Sequence, residues 1–326
     1  MNAFWRDRRV LITGATGLLG AHLTRRLETL GADVMALSRD GNLFGNHTWN
    51  GLPWKCTVVF GDCRDAALLR RVLGEYEIET VFHLAAQTLV GRANLDPTGT
   101  FETNIAGTWR LLEACRALPH ARQIVFASSD NAYGQQDRLP YDEDAPLHGQ
   151  QPYAVSKTCG DLVAQTYAKT YGLPVGISRC GNFYGPGDAN WNRIVPGTIA
   201  SALRGERPVL RSDGTALRDY LYIADAVEAH LLLAQTLASR NDFWGQAWNF
   251  GGGAPLSVLE IVRAVLRACD RDDLEPEVRG EPQNEIQNQS LDTRKAQSLL
   301  GWSPKWSLDE GLRETVAWYR AMLTCS

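Results

Sequence analysis

Three glycines constrain this chain more than any other feature. Residues 13–20 read TGATGLLG, which sets Gly14, Gly17 and Gly20 directly after the apolar run RVLIT (9–13) and at the opening of a segment of helical period (18–30). Glycine is needed where a chain turns tightly and where backbone must approach another group closely. A helix that opens on such a turn offers unbonded N–H groups and the positive end of its dipole to an anion. The spacing therefore predicts a strand–turn–helix that holds the pyrophosphate of a dinucleotide. Gly14, Thr16, Gly17, Leu18 and Leu19 are the expected contacts.

The pattern around this turn repeats. Apolar runs at 33–38, 57–61, 80–86 and 123–129 alternate with helical segments near 18–30, 65–73, 98–117 and 153–171, and a further run, LPVGISR, follows at 173–179. Strands that are apolar throughout, joined by helices, predict a parallel sheet covered on both faces. The expected fold class is α/β, a Rossmann-type doubly wound parallel sheet over residues 1–180. Beyond about 181 the Gly/Asn/Pro loop NFYGPGDANWN leads into helices alternating with shorter strands. Residues 181–326 are expected to form a smaller C-terminal substrate-binding region, packed on the first with a cleft between them.

Composition excludes several classes. With 33 basic and 37 acidic residues the net charge is −4, too balanced to suggest nucleic acid or an anionic membrane as partner. The seven cysteines form no C-x-x-C pair, which argues against a metal site and for reduced thiols. The most apolar helical segment, 221–237, is broken by Asp225, Glu228 and His230, so no membrane span is expected. A cytoplasmic protein is the expectation.

The end of the second strand should select the cofactor, because an acid there binds the ribose of NAD and an arginine accommodates the phosphate of NADP. This strand ends Leu37-Ser38-Arg39-Asp40, with Ser38 in the acid's place. NAD is the expected cofactor, with NADP possible through Arg39. After the third strand, in FGDCRD, Asp62 fits either an adenine-edge acceptor or a helix N-cap, with Cys63 beside it.

Pro152 opens a helix on which Tyr153 and Lys157 stand four residues apart on one face. An ammonium near a phenol favours the phenolate, so Lys157 is expected to pull the Tyr153 pKa down towards neutrality. Taken with the glycine turn and a serine-rich strand end at SSDNAYG (128–134), the pair points to hydride-transfer chemistry.

On these motifs, with HLAAQTLV (83–90), NFYGPGD (182–188), RIVP (193–196) and RDYLYIADA (218–226), the chain resembles the extended short-chain dehydrogenase/reductase family, the nucleotide-sugar epimerases and dehydratases. Within it the chain looks most like the CDP-glucose 4,6-dehydratase branch. The resemblance implies Tyr153 as the base at the sugar C4 hydroxyl, Lys157 as its tuner and Ser129 as a hydrogen-bond partner of the same oxygen. It implies Leu84, Ala85, Ala86 and Gln87 on the cofactor side. Substrate contacts would come from Gln87, Ser128, Asn182, Arg193, Arg211, Arg218 and Glu285. Arg218 suits a diphosphate, since a guanidinium meets two phosphate oxygens at once, although an ion pair with Asp213 or Asp219 would also account for it. The family's habit of dimerising through four helices implies a homodimer through segments 98–117 and 153–171.

Family dehydratases place an Asp followed by Glu or Lys after the Ser, as acid at C6 and base at C5. Here Asp130 is followed by Asn131, and an amide cannot shuttle a proton near neutral pH. Epimerisation needs neither group, only the Tyr, Lys and Ser set, the cofactor and room for a 4-keto sugar to turn over. The favoured expectation is a 4-epimerase of an NDP-hexose or NDP-heptose, and the alternative is a 4,6-dehydratase. A net dehydrogenase or decarboxylase, and a dinucleotide sensor without catalysis, rank below both. His83 is expected to be structural, while Glu143, His148 and Asp188 lie on loops that could enter the cleft.

Overall fold

The structure is a computed structural model that describes residues 2–39, 55–281 and 286–324. Seven parallel strands form its centre. In chain order the first six are β1 (Arg9–Thr13), β2 (Asp33–Ser38), β3 (Thr57–Phe60), β4 (Thr80–His83), β5 (Gln123–Ala127) and β6 (Val175–Cys180). The spatial order is Ala247–Phe250, β6, β5, β4, β1, β2, β3. The chain thus starts in the middle, builds outward through β2 and β3, and returns to β4 on the other side of β1.

That reversal fixes where a ligand can sit. Thr13 at the end of β1 lies in register with His83 at the end of β4, and the connections that follow lead away to opposite sides. A crevice opens at the carboxyl ends of two such strands.

Alternate side chains of each strand point to opposite faces, and both faces are packed. Val10, Ile12, Val34, Ala36 and Phe82 join one apolar cluster with the helices Leu18–Thr29 and Ile223–Leu237. Leu11, Met35, Leu37, Val81 and Ile124 join another with the helices Ala66–Glu75, Gly107–Arg116 and Pro152–Tyr171. This is the doubly wound α/β arrangement expected from unbroken apolar strands.

Three local features differ from expectation. β4 and β5 stop at His83 and Ala127, so LAA and SS belong to the crevice-lining connections rather than to the strands. The expected helix 98–117 contains a π turn, Glu102–Ala106, between the α segments Pro97–Phe101 and Gly107–Arg116. Strand Ala247–Phe250, from the C-terminal part of the chain, pairs with β6 and extends the central sheet. No described helix is long and apolar enough to cross a membrane. The described cysteines are all free thiols, and no cluster of metal-ligating side chains occurs among the described residues.

Candidate active site

One continuous cleft of about 1720 Å³ runs from Gly14 to Arg218 along the carboxyl ends of the strands. At its dinucleotide end the glycines have separable reasons. Gly14 has φ +74°, and a Cβ there would stand 2.8 Å from the Ala85 nitrogen, so the turns after β1 and β4 touch through it. A Cβ on Gly20 would lie 2.2 Å from the Gly14 carbonyl oxygen, which binds the helix tightly against the turn. Gly17 is the N-cap of the Leu18–Thr29 helix, and no side chain caps it. The first-turn N–H groups therefore face the cleft as anion donors, and the cradle fits a dinucleotide pyrophosphate.

Thr16, Leu18 and Leu19 line this end with Arg39, Asp62, Cys63, Leu84, Ala85 and Ala86. Ser38 is 2% exposed and Gln87 turns its side chain onto the Leu89 N–H at 3.1 Å; neither lines the cleft. The N-cap of the Ala66–Glu75 helix is Asp65, which leaves Asp62 to pair with Arg64 at 2.8 Å. Asp40 and Glu285 lie outside the described residues.

His83 is structural. Its Nδ1 lies 2.8 Å from Thr13 Oγ1 and its Nε2 3.1 Å from Thr108 Oγ1, and burial drives its pKa down to about 3. The π turn next to it has a use. Asn104 accepts from the Gln87 N–H at 2.7 Å and donates to Ser156 Oγ at 2.8 Å, tying the connection after β4 to the Pro152–Tyr171 helix. Inserted turns of this kind recur at functional sites.

That helix carries Tyr153 and Lys157 into the cleft beside Ser129, Asp130 and Asn131. Lys157 is 5% exposed, donates to the Ala127 carbonyl at 2.7 Å, and is lowered by burial to about 8. The expected depression of Tyr153 is not found. Burial raises the phenol to about 12, outweighing a hydrogen bond from Ser129 and the charge of Arg193, both of which pull it down. In a dry site the cost of ionising the phenol exceeds what those two groups return.

Asp130 is 2% exposed, and burial raises its carboxyl to about 6, against the opposing Ser129 hydrogen bond and Arg218 charge. Its Oδ1 accepts from Ser129 Oγ at 3.0 Å and from Asn131 Nδ2 at 3.1 Å. Its Oδ2, like the hydroxyl of Ser128, is buried without a hydrogen-bond partner among the described residues. Both residues line the cleft.

At the far end Asn182, Arg193, Arg211 and Arg218 all line the cleft. Arg218 is 9% exposed and donates to the Leu217 and Gln287 carbonyls at 2.8 and 3.0 Å, while Asp219 accepts from Gly252 N and Asp213 from Thr215. The surface ion pair considered for Arg218 is thus absent among the described residues. Arg193 is held by buried Asp188 at 3.1 Å. Glu143, His148 and Asp188 do not line the cleft. Sequence reasoning missed Arg92 and Arg204. Arg92 sits on a single-turn helix, Val90–Leu95, too short to show a period. Counting both, six arginines and Lys157 face Asp62 and Asp130 across the lining, a cationic trough in an acidic protein.

A family model described as "NAD dependent epimerase/dehydratase family" matches residues 10–251. The chain belongs to this family. It is 31% identical over 345 residues to a CDP-glucose 4,6-dehydratase of Salmonella typhimurium, covering 99% of this chain and 95% of that one. Among solved structures it resembles a UDP-glucose 4-epimerase of Thermotoga maritima with UDP-glucose, at TM-score 0.87 and 28% identity, covering 97% of this chain and 99% of that one. It also resembles DesIV, a dTDP-glucose 4,6-dehydratase of Streptomyces venezuelae with NAD bound, at TM-score 0.84 and 31% identity, covering 96% and 97%. Members of this epimerase/dehydratase family are enzymes, and both named reactions occur among the relatives.

Proposed function

We propose that the protein is an NAD(P)-dependent 4-epimerase of a nucleoside-diphosphate hexose or heptose, working through transient oxidation at C4. The observation that carries this reading is Asn131. Its amide donates to Asp130 Oδ1 and lies 3.4 Å from Ser129 Oγ, so the position beside the sugar is filled by a group that holds neighbours and cannot shuttle a proton near neutral pH. The bound dinucleotide supplies the hydride acceptor. Tyr153 takes the proton of the C4 hydroxyl, Ser129 holds the same oxygen, and Lys157 positions the cofactor side of the helix. The Leu18–Thr29 helix N-terminus receives one diphosphate, and Asn182, Arg193, Arg211 and Arg218 receive the other. The cationic trough suits two such anions in one cleft. In this reading residues 1–180 hold mainly the dinucleotide and residues 181–326 mainly the sugar nucleotide.

Asp130 favours a second reading, a 4,6-dehydratase. A carboxyl raised to about 6, on a cleft-lining residue with one oxygen left without a hydrogen-bond partner among the described residues, is competent to protonate a departing C6 hydroxyl. The test is a nucleotide-sugar panel incubated in deuterated water and read by mass spectrometry. Unchanged formula with inverted C4 supports the epimerase, and loss of water with deuterium at C5 supports the dehydratase. Asn131→Lys restores a proton carrier and is expected to switch on the keto-deoxy product. If it forms none, position 131 does not decide the outcome.

We further propose a homodimer through the helical segments 98–117 and 153–171. Trp109 and Leu162 are 42% and 51% exposed there, large apolar surface on adjacent helices. Light scattering is expected to give twice the 36.0 kDa of one chain, and a monomer would refute the assembly.

A further inference from the structure

The helix that carries Tyr153 and Lys157 also grips the turn opposite them, which carries Ser129, Asp130 and Asn131. Three ties run between the two. Lys157 donates to the Ala127 carbonyl at 2.7 Å, where β5 ends. Thr158 Oγ1 donates to the Ala132 carbonyl at 3.0 Å, inside the turn. The third tie passes through β6. Asp161 stands on the same helix face as Tyr153 and Lys157, at the next i, i+4 position. It accepts from Arg179 Nε and from one terminal nitrogen, at 2.8 and 3.0 Å. The other terminal nitrogen of Arg179 donates to the Tyr133 hydroxyl at 2.9 Å, and that hydroxyl donates to Asn249 Oδ1 at 2.7 Å.

Arg179, Asp161 and Tyr133 are buried, and none of them lines the cleft. A buried ion pair is a poor source of stability, because desolvating two charges offsets most of their attraction. What a guanidinium adds is direction. A planar fork bound along one edge to a carboxylate has its remaining donors aimed, and here they point at Tyr133 and at the Glu143 carbonyl, 3.0 Å away.

We propose that Arg179 is a positioning residue for proton transfer at the sugar. Anchored by Asp161, it holds Tyr133 and so keeps the Ser129 hydroxyl and the Asp130 carboxyl in the dry wall of the cleft beside Tyr153. The proposal rests on the reading of Tyr153 and Ser129 as the pair at the C4 oxygen. Asp130 is faced by Arg218 and Asp219 from the C-terminal part of the chain, Tyr153 from the helix, Cys180 from β6 and Tyr141 from the loop beyond the turn. The variants that test the tie alter none of these.

Tyr133→Phe removes the hydroxyl and leaves the Arg179–Asp161 pair in place. Arg179→Lys keeps a charge against Asp161 and loses the second edge of the fork. Each is made in the full-length protein, alone and together with Asp130→Asn. In the parent background Asp130→Asn is expected to raise Tm at pH 8 and to leave it unchanged at pH 4, since only the carboxyl has to ionise in a dry site. In either variant the turn opens to water, and that difference is expected to shrink by about half or more. With the sugar nucleotide that the panel identifies, kcat is expected to fall by about 10–10²-fold, the cost of reacting groups misplaced by a fraction of their spacing, with KM near the parent value. Dinucleotide affinity at the parent value shows that a variant is folded, and either variant alone suffices. A folded variant that keeps the full Asp130 difference, or the parent kcat, overturns the proposal. So does a parent protein in which Asp130→Asn changes Tm equally at both pH values. The thermal measurements contain no sugar, and epimerisation and dehydration both begin with oxidation at C4, so failure here is distinct from failure of the epimerase reading.

Discussion

At the dinucleotide end of the cleft the protein presents backbone, whereas at the sugar end it presents buried side chains. Gly14, Gly17 and the first turn of the Leu18–Thr29 helix make an anion cradle from N–H groups and a dipole that no titration can change. The turn after β5 and the first turn of the Pro152–Tyr171 helix instead present the Ser129 hydroxyl, the Asp130 carboxyl raised to about 6 and the Tyr153 phenol raised to about 12, the two acids set by how dry their surroundings are. The first end is therefore tuned by shape and the second by desolvation. Substitutions should separate them, with binding failing at one end and proton transfer failing at the other.

The largest separation is expected from Tyr153→Phe. Removing the one hydroxyl placed to take the C4 proton should lower kcat by about 10²–10⁴-fold, the usual worth of general base catalysis. Dinucleotide affinity, measured by titration, should stay at the parent value because the cradle is untouched. Turnover near the parent rate would assign the proton transfer elsewhere.

Asp130→Asn should act on stability in a pH-dependent way. Its carboxyl is raised from 3.8 to about 6, so the folded protein binds that proton more tightly than the unfolded chain does. The contribution is present in full below pH 3.8 and is lost as pH rises through 6, where the folded protein must ionise a dry carboxyl. Integrated, the loss is about 3 kcal/mol at pH 8. The asparagine keeps the acceptor for Ser129 and Asn131 and never ionises. Its Tm should exceed that of the parent at pH 8 and converge on it near pH 4. Equal Tm curves across that range would mean that the carboxyl is hydrated in solution.

The same division explains what could be read from sequence. β1 to β6 and the long helices follow from apolar runs and helical period, which local sequence carries on its own. The glycine turn follows too, because its geometry is a backbone property of eight consecutive residues. Burial is not local. The expectation that Lys157 would pull Tyr153 down counted a neighbour's charge but not the dryness that raises the phenol. The N-cap illustrates the limit at short range, since FGDCRD offers Asp62 and Asp65 and only the folded turn shows that Asp65 accepts from Ala67 and Leu68. Arg179 and Asp161 form a bidentate pair at 2.8 and 3.0 Å sealed between β6 and the Pro152–Tyr171 helix, a partnership across 18 residues that neither segment signals locally. Arg179 also donates to the Tyr133 hydroxyl at 2.9 Å, which anchors the turn carrying Asp130.

The smallest expected effects come from the cradle itself, where two glycines in one turn should respond differently. Gly14→Ala forces a residue with a Cβ into φ +74° and against the Ala85 backbone at 2.8 Å, which should lower stability by about 1–3 kcal/mol, visible as a lower Tm. Gly17 has an extended backbone, φ −76°, and its nearest protein atom to an added Cβ is the Gly14 carbonyl oxygen at 3.4 Å, an ordinary contact. Gly17→Ala should therefore leave the unfolding free energy within about 0.5 kcal/mol of the parent, as a tolerated substitution does. What the added methyl occupies is the space through which a pyrophosphate would approach the helix N-terminus, so dinucleotide affinity should fall while the fold holds. A Gly17→Ala protein that binds dinucleotide as tightly as the parent would place the pyrophosphate away from this turn and remove the contrast between the two ends of the cleft.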